Sequence, residues 1–78
     1  MMDIQLADVT VHIDEDLDIT RRGQIEDRVR ALDGVVSYHS ADNTPHLAVV
    51  EYNPEQVDSA TILDTVKGEG VNAELIGL

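Results

Sequence analysis

Cysteine is absent from this chain of 78 residues. That excludes disulfides, thiolate metal centres, iron–sulfur clusters and a cysteine nucleophile. Phenylalanine and tryptophan are missing too, and the only aromatics are two tyrosines, so any core has to be aliphatic. Basic residues are scarce. Five lysines and arginines stand against 16 aspartates and glutamates, a formal net charge of −11 with histidine neutral. Such a chain is repelled by the phosphates of nucleic acids and by anionic membranes, so neither is an expected partner. Apolar runs of three or four residues fall far short of the ~20 a spanning helix needs. The start, Met1 to Val9, lacks the basic-then-apolar order of a signal peptide, and a cytoplasmic setting is expected. At 42% hydrophobic the chain should still fold, as one domain over residues 1–78.

The pattern of what is present gives the order of elements. In Val9-Thr10-Val11-His12-Ile13-Asp14 the apolar residues fall at every second position, the period of a half-buried strand. Ile4 and Leu6 alternate in the opposite parity, so a bulge or break is expected near Ala7-Asp8, with residues 1–8 an extension or lead-in. After the acidic loop Glu15-Asp16-Leu17-Asp18 the period changes. Ile25, Val29 and Leu32 form one stripe of a helix, with Asp18 or Thr20 as its cap and Gly34 as its end. Val35 to Ser40 and Leu47 to Tyr52 read as a hairpin joined by the turn Ala41-Asp42-Asn43-Thr44-Pro45. Asp58 is placed to cap a second helix, with Val57 and Ile62 as its hydrophobic staple and Ile62, Leu63 and Val66 as its buried stripe. Gly68 and Gly70 stop it, and Val71 to Ile76 makes a last strand. Strand–helix–strand–strand–helix–strand is the α+β, ferredoxin-like βαββαβ plan, with two helices on one face of a four-stranded antiparallel sheet.

Three segments carry a family likeness. They are the corner Ala31-Leu32-Asp33-Gly34-Val35; Val50-Glu51-Tyr52-Asn53-Pro54 with Val57-Asp58; and Ile62 to Leu75 with Lys67, Gly70 and Ala73-Glu74. In order and spacing they resemble the heavy-metal-associated domain of copper chaperones and metal-pumping ATPases, over most of residues 9–76. The resemblance implies a metal loop between the first strand and first helix. The two cysteines that define it fall, without a gap, on Asp18 and Arg21, and the glycine–methionine pair ahead of them on Glu15 and Asp16. Val71 holds a place where chaperones often carry an aromatic or a lysine facing the metal. Copper(I) prefers sulfur ligands, so the degenerate positions Asp16, Asp18 and Arg21 imply the fold without the copper(I) function.

Asp14-Glu15-Asp16-Leu17-Asp18 has the opening spacing of a calcium loop. Ile19 and Ile25, however, stand where that loop needs its glycine and its bidentate glutamate, and a solvated acidic loop is the expectation. Arg21 and Arg22 at a helix start could contact an anion, or could balance the loop carboxylates next door, which is the expected role. His12, His39 and His46 are candidate zinc or nickel ligands, yet His12 and His39 fall on strands about 10 Å apart, so scattered surface histidines are expected. Leu47, Val49, Ile76 and Leu78 are expected on the open sheet face, as a homodimer or partner surface or as ordinary exposed apolar residues. No nucleophile elbow, glycine-rich phosphate loop or cofactor fingerprint is present, so neither an enzyme nor a cofactor is expected. The leading reading is an acidic, non-catalytic binding or adaptor domain. The other is a metal domain that uses Asp14, Asp16, Asp18 or His12 as ligands.

Overall fold

The computed structural model describes residues 5–76. Its elements are β1 (Ala7–Ile13), α1 (Ile19–Arg30), β2 (Val35–His39), β3 (Leu47–Tyr52), α2 (Ser59–Lys67) and β4 (Ala73–Ile76). The strands form one antiparallel sheet in the order β2-β3-β1-β4. Helix α1 packs against β2 and α2, and α2 against β4. This is the ferredoxin-like arrangement expected from the order of periodicities.

The two-residue period of the strands decides which side chains are buried. Val9, Val11 and Ile13 of β1, Tyr38 of β2 and Ala48, Val50 and Tyr52 of β3 turn inward. They meet Ile25 and Val29 of α1 and Ile62 and Val66 of α2, all four fully buried. Leu17, Leu32, Val35, Val57 and Leu75 close the margins. Burial foremost, with Glu26 adding, pushes the Tyr38 hydroxyl above its ordinary value while Arg22 opposes the rise.

Both helix starts follow from their caps. Asp18 Oδ1 accepts the backbone N–H of Arg21 at 2.8 Å, and Asp58 Oδ1 that of Thr61 at 2.8 Å. Each side chain satisfies a donor that the first turn of a helix leaves free. Of the two candidate caps for α1, Asp18 is the one used, and Thr20 lies inside the helix.

Four details differ from the sequence expectation. There is no break at Ala7-Asp8, because β1 pairs continuously with β3 from Ala7↔Tyr52 to His12↔Leu47. The parity change at Leu6 marks the strand's beginning, and Ile4 lies outside the described residues. The irregularity falls in β2 instead, between Val35 and Ser37, and leaves Val36 half exposed. Helix α1 ends at Arg30 with Ala31 as C-cap, and Gly34, at φ +98°, closes the following turn. Strand β4 begins at Ala73, not Val71, and Leu63 is only half buried because it points off the core stripe.

Candidate functional site

The loop from Asp14 to Asp18 joins β1 to α1 at one end of the sheet. Each of its four acids is held by a different partner. Asp14 Oδ1 lies 3.2 Å from His12 Nδ1. Glu15 reaches across to Asn72, accepting its backbone N–H at 2.9 Å and its side-chain amide at 2.9 Å. Asp16 Oδ1 lies 2.9 Å from His46 Nε2, and Asp18 caps α1. Asp14, Asp16 and Asp18 do not converge as the carboxylates of a calcium loop would: no set of three carboxylates comes together among the described residues of this loop.

The arginines also take partners other than those expected. Arg21 does not balance the adjacent loop acids. It spans to the turn after α2, where Nη1 donates to Glu69 Oε1 at 3.1 Å and Nη2 donates to the Glu69 carbonyl. Arg28 Nε adds a contact of 3.4 Å to the same carboxylate. The reason is positional: the loop acids are already engaged, while α1 runs beside α2 and its following turn. Arg22 goes to the other side, with Nη2 3.4 Å from Ser40 Oγ and 3.6 Å from Asp42 Oδ1. It lines a shallow pocket with Ile19, Gly23, Glu26, Ser40 and Asp42, and its Nε is buried without a hydrogen bond. The Asp42 carboxylate already faces this guanidinium and Glu26 lines the same pocket, which counts against an anion there.

At the end of the molecule where the resemblance places a metal loop, Glu15–Asn72 and Arg21–Glu69 tie the β1–α1 loop to the α2–β4 turn. Arg21→Ala is expected to cost about 1–2 kcal/mol, because it strips the half-buried Glu69 carboxylate of its nearer cation. Urea denaturation checks this, and the loss should shrink in high salt. The network is also pH-dependent. Hydrogen bonds from Asn72, its backbone N–H foremost, hold the Glu15 carboxyl below its ordinary value of 4.5, and bonds from Thr61 hold Asp58 below 3.8. Because both folded-state values are depressed, the stability these contacts add is present above the unfolded values and lost as pH falls through the folded ones. The double change Glu15→Gln and Asp58→Asn is therefore expected to flatten the loss of stability below pH 4.5. Melting temperatures across an acid series would show it.

Histidine placement is the main departure from expectation. His39 stays apart on β2, but His12 and His46 are not scattered. Their rings stack at 5.9 Å between centroids, with 19° between planes. The β1–β3 ladder explains this: beyond His12↔Leu47, Ile13 N–H donates to the His46 carbonyl at 2.8 Å, so residue 46 continues β3's pairing. The imidazole is then fixed by donating from Nδ1 to the Ile13 carbonyl at 2.7 Å. On the far side of β1, Glu74 of β4 pairs directly with His12, and its Oε1 is 3.4 Å from His12 Nδ1. Sequence reading missed Glu74. The signal was available in the antiparallel pairing of first and last strands, which brings residue 74 opposite residue 12.

The open face of the sheet is the other candidate surface. Thr10 is flanked by Val49 on one side and Ile76 on the other, with 42% and 37% of these apolar residues exposed. Leu47 is half buried beside them, and Leu78 lies outside the described residues. Asp8, Glu51 and Glu74 border the patch, as the register dictates.

Solved structures share this architecture. A copper-binding domain from the P-type ATPase HMA7 superposes with a TM-score of 0.81 at 18% identity, over 90% of this chain and 93% of that one. The N-terminal domain of a potential copper-translocating P-type ATPase from Bacillus subtilis gives 0.81 at 20% identity, over 91% and 88%. This is the heavy-metal-associated fold, without its cysteines. Oxidized MerP from Ralstonia metallidurans gives 0.80 at 13% identity, over 91% and 97%. No family model and no curated protein matches the sequence. The residues that join β1 to α1 and open that helix do not suit copper(I). Asp18 offers a carboxylate already used as a helix cap, Arg21 offers a cation held by Glu69, and neither is a soft donor. Among the described residues no helix is long and apolar enough to cross a membrane.

Proposed function

We propose that this chain is a non-catalytic binding domain that docks a basic protein surface on its open sheet face. The observation that carries this reading is the exposed pair Val49 and Ile76 on either side of Thr10, bordered by Asp8, Glu51 and Glu74. An apolar centre with a charged rim is the anatomy of a transient protein interface. The rim charge and the net charge of −11 together select a lysine- and arginine-rich partner and speed its approach. They disfavour a second copy, whose matching face would bring like charges together. The copper(I) role has no sulfur donor in the β1–α1 loop to support it, and that loop is built into the helix cap and the Arg21–Glu69 tie.

Peptides with an apolar centre and flanking arginines, titrated against the amide NMR spectrum, test the reading. Shifts are expected at residues 8, 10, 47, 49, 51 and 76, weakened by salt and absent for peptides with glutamate flanks. Val49→Asp with Ile76→Asp should abolish them without unfolding the chain, since both side chains are exposed. Absence of shifts across the panel overturns the proposal. A concentration-dependent dimer by sedimentation, with the same residues shifted, replaces the basic partner with a second copy.

A further inference from the structure

We infer that His12, Asp14 and Glu74 form a binding site for a borderline divalent cation of the zinc and nickel class. The site is built by strand geometry. His12 faces the open side of the sheet from β1, and Asp14, the first residue after that strand, brings its Oδ1 to 3.2 Å from His12 Nδ1. Glu74 stands directly opposite His12 in the β1–β4 register, where cross-strand side chains come closest. One donor atom from each of the three residues lies within 4.8 Å of the other two. The two measured separations from His12 Nδ1, 3.2 Å to Asp14 and 3.4 Å to Glu74, suit neighbouring ligands around one ion at about 2.0–2.2 Å from each.

A second feature points the same way. An imidazole nitrogen carries at most one proton, yet two carboxylate oxygens converge on His12 Nδ1. The cluster therefore has more acceptors than donors, an arrangement that a divalent ion would satisfy at all three residues at once. Imidazole favours zinc, nickel and copper(II) over calcium or magnesium, while the two carboxylates balance the ion's charge. Three ligands on one side would leave the remaining positions to water or to a partner's side chain. His46 stacks on the His12 ring with Nδ1 tied to the Ile13 carbonyl, which restricts how far the His12 ring can turn. The site differs from the thiol loop of the fold in its residues: His12 and Glu74 come from the β1–β4 strand pair, Asp14 comes from the start of the β1–α1 loop, and Asp18 and Arg21 take no part in it.

Zinc chloride titrated into chelator-treated protein, followed by calorimetry and by imidazole and amide NMR, provides the test. The expected result is saturable binding of one ion per chain, with the His12 ring and residues 12–14 and 73–75 shifted. Calcium and magnesium at equal concentration should not displace it. His12→Gln and Glu74→Gln should each weaken binding by more than about tenfold, the loss that outer-shell partners alone can cause. His39→Gln should leave it unchanged. Circular dichroism confirms that each variant is folded, which is expected because Glu74 and His39 are exposed and neither His12 nor His46 is in the buried core. Shifts that do not saturate and spread over many carboxylates overturn the site. So does binding that survives His12→Gln but is lost in His46→Gln, which would move the ion to the His46–Asp16 pair.

Discussion

Gly34→Ala is expected to destabilise the protein by about 2–4 kcal/mol, from backbone strain and a steric clash together. For a domain of this size that is a fall in melting temperature of roughly 10–25 °C. Gly34 sits at φ +98°, in the left-handed region where a Cβ is penalised. A Cβ added there would also approach Gln56 Cβ to 2.7 Å and Val57 Cγ1 to 3.0 Å. Neither neighbour can move freely. Val57 packs on the core margin, and the Gly34 carbonyl accepts the Asn53 N–H at 2.7 Å, pinning the corner to the segment that leads into α2. Two other glycines separate the causes. Gly70 has φ +86° but open space around a built Cβ, so Gly70→Ala should show the strain alone, about 1–2 kcal/mol. Gly23 lies inside α1 without positive φ or any atom within 4 Å, so Gly23→Ala should stabilise by about 0.5–1 kcal/mol. Thermal and urea denaturation of the three variants gives the ranking. Equal effects at Gly34 and Gly70 would mean that the close contact with Gln56 and Val57 does not exist in solution.

The same corner shows why the fold could be read from the sequence. Period-two runs in Val9–Ile13 and Leu47–Tyr52, a period change at Ile25 and Val29, and glycine at Gly34 and Gly70 each have a local physical cause, and all point to one topology. Asp18 and Asp58 mark the helix starts for the same reason, since a cap needs only residues three apart. The site was less legible because its contacts are long-range. Arg21 meets Glu69 and Glu15 meets Asn72 across 48 and 57 residues, and nothing in the local pattern selects those partners over the acids next door. The histidines fail in a similar way. His46 looks like a turn residue until the β1–β3 ladder is extended one step past Leu47, and then it stacks on His12. The apolar face was legible because alternation within β3 fixes it: once Ala48, Val50 and Tyr52 go in, Leu47 and Val49 must go out.

The second large effect is a gain. Replacing Asp18 and Arg21 together by cysteine is expected to convert a chain that takes up no stoichiometric copper(I) into one that binds a single ion. Asp18 is the N-cap of α1 and Arg21 the third helical residue, close enough that the Asp18 carboxylate already bonds the Arg21 N–H at 2.8 Å. Two sulfurs from these positions would therefore leave the same turn of backbone. The helix N-terminus favours the thiolate form that copper(I) needs. The metal-free variant should melt lower than the parent, because it loses a cap worth about 1 kcal/mol and leaves Glu69 to Arg28 alone. Copper(I) should then restore stability by mass action, as any ligand of the folded state does. The measurement is copper retained per chain after competition with a copper(I) chelator, alongside the melting temperature with and without the ion. Either single cysteine variant should fail to retain the metal. A folded double variant that also fails would show that Asp18 and Arg21 do not occupy the places of the family's cysteines. Stoichiometric copper(I) on the parent chain would show instead that its carboxylates and histidines are better soft-metal ligands than their chemistry allows.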